Sequence, residues 1–482
     1  MQDNQNSRVE EARFVSPSDL SVNFTKKQMV FLGLQNTVAM SGVIIVPILC
    51  GLNVSVTLFC AGVGTLIYQF IDKGIVPAFL GGSFAFIAPL TMIITDMGIP
   101  YAQGGLVFVM CFYFLFALLL KLLGTERINR VFPPVITGPI IIVLGLSLAS
   151  VGVSSASANW PVALLTFGIA VVVNIFGKGL TKILTIVLAL VGGYLISIPF
   201  GLVDFSGVME AAWFGVPSFT LPKFDVRAII AIAPAAIVPC IEHIGDVIAV
   251  GTTVGKDFTK NPGLPRSLFA CGCATCVSAC LGGPSLTIHS ENTGVLAVTR
   301  IYSPFVVRCG AVWMALFAFI PKFEALCRSI PDPVLGGVGI LLYGMVANVG
   351  VRTVVENHVD FSKAKNLIVS SAILILAVGG ATFNFPGGIS IGGLAVAAIA
   401  GIILNLILPD KQVEEFPAFL KKSLAKNFIR LRSSLFEKRL GRKTLVGCAA
   451  NSGAGAVRIQ AAPAPGLGPW DRGGPPLSHE AR

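Results

Sequence analysis

The sequence predicts an all-α polytopic membrane protein of about fourteen transmembrane spans, arranged as a seven-plus-seven inverted repeat with short strands in spans three and ten. Three observations predict this class. Charge is scarce: 12% of residues are Asp, Glu, Lys or Arg and 54% are hydrophobic, with a mean hydropathy of +0.82, where soluble domains carry about 25% charged residues. Such a chain could not coat a water-exposed surface, so lipid is the solvent for most of it. Apolar runs recur along nearly the whole chain, and two interrupted patterns recur at one offset of about 200 residues.

A window of about 19 residues places the spans near 29–50, 54–72, 78–96, 103–123, 132–152, 160–177, 182–203, 227–250, 266–282, 285–299, 303–320, 331–350, 366–383 and 388–408. Residues 1–28 form a polar N-terminal segment with no apolar h-region and no small-residue cleavage site, so the run from Met29 reads as an uncleaved first span. The net charge of +11 is topological and not a nucleic-acid signal. Basic residues collect in alternate gaps: Lys73; Lys121, Arg127 and Arg130; Lys178 and Lys182; Lys256, Lys260 and Arg266; Arg300; Arg352, Lys363 and Lys365. The other gaps hold few, among them Lys223, Arg227, Lys322 and Arg328. By the positive-inside rule both termini face the cytoplasm, as expected for a multi-pass protein of the cell inner membrane.

Two spans are wrong for plain helices. The third opens Leu80-Gly81-Gly82-Ser83-Phe84, and the tenth opens Leu281-Gly282-Gly283-Pro284-Ser285. Gly and Pro interrupt a helix there, and the residues that follow suit a short extended piece. A second echo aligns Pro134, Val135, Gly138 and Gly145 with Pro333, Val334, Gly337 and Gly344. In both echoes the span numbers differ by seven, an odd number, so the halves at 29–203 and 227–408 cross the membrane in opposite senses. Interrupted helices in such a repeat point to a substrate site. Residues 409–447 read as a basic amphipathic cytoplasmic segment suited to an anionic leaflet. Residues 448–482, rich in Gly, Ala and Pro without periodicity, read as a disordered tail whose composition resembles appended sequence.

Most of the eleven cysteines lie inside apolar runs, where Cys acts as a small hydrophobe. The run Cys271, Cys273, Cys276, Cys280 sits among Ala, Gly and Ser and reads as close helix packing, so no metal is expected.

Ionisable residues deep in a span are costly and are functional candidates by default. The candidates are Glu242, His243 and Asp246 in span eight and His289, Glu291 and Asn292 in span ten. Glu242 and Asp246, four apart, share one helical face, while His243 points elsewhere. Glu291 follows the Gly-Gly-Pro break, where free backbone groups are available to a flat polar ligand. A pyrimidine presents N–H donors beside carbonyl acceptors. Carboxylates accept from the former, and backbone N–H groups donate to the latter. Two acids from opposing halves would clamp the ring edge, with Phe84 packed nearby. Buried acids close together favour protonation, so at least one of the three is expected to take and release a proton, the only cofactor-like species implied. The blander readings make Glu242 a structural buried acid, Asp246 a solvated residue near a helix end and Glu291 a loop acid. Tyr343 reads as packing, with a hydroxyl that could reach Glu291.

The run Glu291-Asn292-Thr293-Gly294-Val295-Leu296-Ala297-Val298-Thr299-Arg300 matches in full the signature of the nucleobase–ascorbate transporters, also called nucleobase:cation symporter family 2. Glu242-His243-Ile244-Gly245 and Leu80 to Pro89 resemble that family's span-eight and span-three motifs, and the similarity runs from about Gln28 to Pro409. The resemblance is closest to the bacterial uracil branch and implies uracil:proton symport. It implies a core domain of spans one to four and eight to eleven moving against a gate domain, and a homodimer. By motif, Glu242 and Glu291 would bind the base, Phe84 and Ser290 would offer backbone contacts, and Asp246 with Glu242 would couple the proton. Tyr343, Asn292, His289 and Asn36 would support the site. Asp246 and Asn36 stand where uracil permeases usually have His, and His289-Ser290 stands where they usually have Tyr-Gly or Tyr-Ala. Asp at the coupling place is more familiar from the xanthine and urate branch, which leaves a xanthine or purine symporter as the alternative. An anion carrier of the same fold should be electropositive where this chain has two acids. An intramembrane hydrolase would need catalytic Asp motifs that the sequence lacks.

Overall fold

The computed structural model describes residues 24–124, 132–385 and 389–409. The basic amphipathic segment, the C-terminal tail and most of the N-terminal segment lie outside the described residues. The elements run α1 Lys26–Ala39, α2 Gly42–Cys50, α3 Val54–Ile71, β1 Leu80–Gly82, a 3-10 turn Phe84–Phe86, α4 Ile87–Met97 and α5 Ile99–Leu123. Next come α6 Pro134–Ser147, α7 Ala149–Ser157, α8 Trp160–Phe176, α9 Leu180–Ile183, α10 Thr185–Ser197 and α11 Ser206–Glu210. Then follow α12 Val226–Ile232, a 3-10 turn Ala233–Ala236, α13 Ile237–Val254, α14 Leu264–Leu281, β2 Leu286–Ile288 and α15 Ser290–Thr299. The chain continues with α16 Pro304–Phe317, α17 Pro321–Arg328, α18 Asp332–Glu356, α19 Ala364–Val378, β3 Phe383–Phe385, β4 Ile389–Ile391 and α20 Gly393–Ile407.

Local chemistry sets many of these limits. Thr25 and Gln28 form a reciprocal capping box at the start of α1. Asn53 Oδ1 accepts the Val56 N–H at 2.8 Å and starts α3. Pro sits in the first turn of α5, α6, α8, α14, α16, α17 and α18, where its missing N–H costs nothing. Gly282, at φ 96°, ends α14 in a left-handed conformation that lets the chain turn straight into β2.

Among the described residues seven helical segments are long and apolar enough to cross a bilayer, and an eighth forms if α16 and α17, bent by 83°, count as one. Five shorter apolar helices, of 10–17 residues, account for further hydrophobic runs. The protein is therefore a multi-pass membrane protein. Large apolar side chains such as Phe70, Phe176, Ile375 and Ile407 are exposed on its flanks, where lipid is the natural solvent. Breaks explain why apolar runs and helices do not match one to one. The first run splits at Met40-Ser41, and the third and tenth each pair a strand with a short helix.

The helices pack in two groups. One joins α1 and α3 to α16, α3 and α5 to α14, and α12 to α5. The other joins α6, α7 and α8 to α18, α10 to α8, and α19 to α6 and α20. Within the second group small residues allow close backbone approach. A Cβ on Gly337 would run into the Ala163 carbonyl and the Thr166 side chain, whereas one on Gly344, further along α18, would meet open space. We expect Gly337→Leu to lower the melting temperature of the detergent-solubilised protein by an amount matching an overpacking cost of about 1–3 kcal/mol. Gly344→Leu should leave it nearly unchanged, and equal effects would contradict this packing.

Candidate functional site

The site is built where the two interrupted runs meet. β1 and β2 pair antiparallel with Leu80 opposite Ile288, Gly81 opposite Thr287 and Gly82 opposite Leu286. The Ser83 N–H extends the ladder by donating to the Ser285 carbonyl at 2.9 Å. Each strand is tied to a neighbouring helix by a threonine: Thr65 Oγ1 accepts the Leu80 N–H at 3.0 Å, and Thr275 Oγ1 accepts the Leu286 N–H at 3.1 Å. A lone two-stranded ribbon is marginal, but here both strands are buried. Their backbone groups have no water to turn to, so the pairing is obligatory.

Beyond each strand the chain turns into a short helical segment, the 3-10 turn at Phe84 and α15 at Ser290. The first N–H groups of a helix lack intrahelical partners, and they carry partial positive charge. Phe84 and Ser290 therefore stand beside donors available to a ligand carbonyl. Both lie past the strands themselves; Phe84 opens a helical turn and is not extended.

Glu291 lies in the first turn of α15. Ser41 Oγ, from the break between α1 and α2, donates to Glu291 Oε1 at 3.0 Å. Glu291 Oε2 lies 3.0 Å from His289 Nδ1, and His289 Nε2 lies 3.2 Å from the Gly82 carbonyl oxygen. The His289 backbone N–H donates to the Phe79 carbonyl at 3.1 Å, and the His289 ring meets the Phe84 ring edge-on at 6.2 Å. Asn292 Nδ2 donates to the Pro77 carbonyl at 2.8 Å, which anchors α15 to the segment entering β1.

α13 brings the other two acids. Glu242 interacts electrostatically with His289 and Glu291, and Asp246 with Glu242 and Glu291. Asp246 is not a solvated helix-end residue: it lies mid-helix, and its Oδ2 is buried without a hydrogen bond. His243 is engaged in a buried network of its own. Its Nε2 pairs with Ser267 Oγ at 2.9 Å, Ser267 Oγ pairs with the Tyr68 hydroxyl at 2.7 Å, and Cys271 Sγ lies 3.6 Å from His243 Nδ1. That buried chain braces α13 against α3 and α14.

Glu242, Asp246, His289, Glu291 and Phe84 thus come together, with Ser290 adjacent. Tyr343 does not join them: its ring packs on Gly152 and Gly339, and no hydrogen bond links it to Glu291. The side chain of Asn36 packs against Gly310 of α16, and its buried Oδ1 has no hydrogen-bond partner. Sequence reasoning missed Ser41 as a partner of Glu291. The available signal was the Met40-Ser41-Gly42 interruption inside the first apolar run. Among the described residues no cluster of three or more His, Cys, Asp or Glu is arranged to hold a metal ion. What the arrangement offers is acceptors on two facing helices and backbone donors at two strand ends, a set that suits a small ring carrying both N–H and C=O groups.

A family model described as "Permease family" matches residues 27–385. The chain is 40% identical over 407 residues to "Uracil permease" of Bacillus subtilis, covering 80% of this chain and 94% of that protein. It is 38% identical over 394 residues to "Uracil permease" of Escherichia coli K12, covering 79% and 91%. It is also 36% identical over 408 residues to "Putative pyrimidine permease RutG" of the same organism, covering 81% and 91%. Among solved structures, the transmembrane domain of a cyanobacterium bicarbonate transporter, BicA, aligns with TM-score 0.52 at 19% identity, covering 78% of this chain and 98% of that one. The murine anion transporter Slc26a9 aligns with TM-score 0.57 at 12% identity, covering 79% and 67%. At these identities the two structures speak to fold alone.

Replacing Asn292 by Leu should strand the buried Pro77 carbonyl. The expected cost is about 1–3 kcal/mol in thermal stability of the solubilised protein. An unshifted melting curve would show that α15 is not anchored through this bond.

Proposed function

Because the chain belongs to the Permease family, on the evidence of the nucleobase–ascorbate signature and of relatives at about 40% identity over most of its length, we propose that it carries uracil across the inner membrane together with a proton. It is a transporter and not an enzyme. The observation that carries the substrate reading is the convergence of Glu242 and Glu291 beside the two strand ends. The carboxylates accept the ring N–H groups, and the backbone N–H groups at Phe84 and Ser290 serve the ring carbonyls.

Asp246 is the proton-coupling residue in this reading, with Glu242 as its partner. Both sit on one face of α13, and the buried Asp246 oxygen without a partner has a proton acceptor's surroundings. Asn292 supports the site from α15, and Asn36 and Tyr343 support it from a distance. The fourteen-span inverted repeat is part of the same proposal. Its support is the two-group packing, which joins the first four spans to spans eight to eleven as a core and leaves the rest as a gate. Rocking of core against gate gives alternating access, with both termini in the cytoplasm and two copies forming a homodimer. A cavity of about 340 Å³ lies between Thr37, Met40 and Leu58 of the core group and Leu190, Tyr194 and Leu195 of the gate group.

Xanthine is the second reading, favoured by an Asp at position 246. An anion carrier is disfavoured, because its site should be electropositive where this chain has Glu242 and Glu291.

In cells lacking their own uracil carriers, the full chain should support saturable uptake of radiolabelled uracil that a protonophore collapses. Asp246→Asn should abolish proton-driven accumulation while sparing binding, and unchanged uptake would refute its coupling role. Glu242→Gln and Glu291→Gln should each weaken uracil binding about 10- to 100-fold, the loss of one charged hydrogen bond. Uptake of xanthine in preference to uracil would transfer the substrate reading to the purine.

A further inference from the structure

His289 has surroundings unlike those of an ordinary packing histidine. Its ring is sandwiched between two glycines, Gly42 at the start of α2 and Gly81 in β1. A Cβ at either position would collide with the imidazole, so both must stay bare for the ring to fit. Both ring nitrogens face acceptors. The Gly82 carbonyl can only accept, so Nε2 carries a hydrogen. Nδ1 then faces a carboxylate oxygen at 3.0 Å, a separation at which two lone pairs would repel and a shared proton makes a bond. That proton lies on the ring or on the carboxyl group. In either place the His289–Glu291 pair has no net charge. Ser41 engages the other oxygen of the same carboxylate, so both oxygens of Glu291 are directed by the protein before any ligand arrives.

We propose that His289 and Ser41 are positioning residues that fix the Glu291 carboxylate for the substrate and hold one proton in the His289–Glu291 pair. The proposal rests on Glu291 being a substrate ligand and deepens that reading. His289 is anchored by the Phe79, Gly81 and Gly82 backbone and by Gly42, whereas Glu291 belongs to α15. The pair therefore transmits the geometry of β1 to the ligand-binding oxygen. Each carboxylate oxygen keeps a lone pair after these contacts, and the direction in which it points to a ring N–H is set. The pair also simplifies the charge of the site. Besides Glu291, the charged group that reaches His289 is Glu242 from α13; α2 and β1 present Gly42, Gly81 and Gly82. With Glu291 neutralised in its pair, Glu242 and Asp246 are left as the acids free to gain or lose a proton during the cycle.

The test uses the full chain in lipid nanodiscs. Equilibrium binding of radiolabelled uracil is measured across the histidine titration range for the wild type, His289→Gln, Ser41→Ala, Glu291→Gln and the His289→Gln/Glu291→Gln double variant. We expect His289→Gln to weaken binding about ten-fold or more near neutral pH, as loss of a charge-assisted bond does. Acidification should recover part of it, when a proton from solution neutralises Glu291. Ser41→Ala should weaken binding less and leave the pH profile in place. The double variant should bind no worse than Glu291→Gln alone. Wild-type affinity and pH profile in His289→Gln, or additive losses in the double variant, would overturn the proposal. A second readout needs no substrate: the imidazole ¹⁵N signals of His289, assigned by their loss in His289→Gln. They should show two hydrogen-bonded nitrogens throughout the range, and a freely titrating imidazole would overturn the pairing. If the wild type binds no uracil, the substrate reading fails and these nitrogen signals decide the pairing on their own.

Discussion

The pairing of two three-residue strands deep inside an apolar protein is the constraint on which the rest depends. A helix interrupted in a membrane leaves backbone groups that lipid cannot satisfy. Here two interruptions satisfy each other, Leu80–Gly82 against Leu286–Ile288, with Thr65 and Thr275 completing the strand starts. The arrangement fixes where two short helical segments begin. From those two starts hang Phe84 on one side and His289, Ser290, Glu291 and Asn292 on the other.

A site of this kind must manage charge without water. Ser41, His289 and Asn292 link α15 to residues of the first four elements through hydrogen bonds. The acids of α13 approach from a third direction, held by the Tyr68–Ser267–His243 chain behind them. Such networks are rigid when satisfied. Asp246 Oδ2 and Asn292 Oδ1, with Ser83 Oγ and Ser285 Oγ at the strand ends, are among the buried groups left without a hydrogen bond and so have capacity for a further one. Rigid placement beside an unsatisfied acid is the combination a carrier needs if it is to bind a small ring and register a proton in one event.

Much of this was legible in the sequence. Low charge and repeated apolar runs gave the membrane class. The Gly-Gly runs marked the breaks in spans three and ten but not the strand limits: β1 is Leu80–Gly82 itself, the residues after it form a 3-10 turn, and β2 begins only at Leu286. Ionisable residues inside spans singled out Glu242, Asp246 and Glu291 as candidates. These signals are strong because lipid penalises every exception. Ser41 was hidden because one serine in an apolar run is unremarkable until its partner, 250 positions away, is known. Tyr343 reads as a packing residue with a hydroxyl that could reach Glu291; its ring lies against Gly152 and Gly339, an orientation that spacing along one helix does not give. The role of His289 needed three dimensions for the same reason: its significance lies in Gly42, Gly81 and Gly82, which come from two other elements.

The most direct test of the central claim is a high-resolution map of the full chain with uracil bound. Planar density is expected between Glu242 and Glu291, with the carbonyl edge toward the backbone at Phe84 and Ser290. Ligand density in the apolar seam beside Met40 and Tyr194, with the acid cluster left empty, would contradict it.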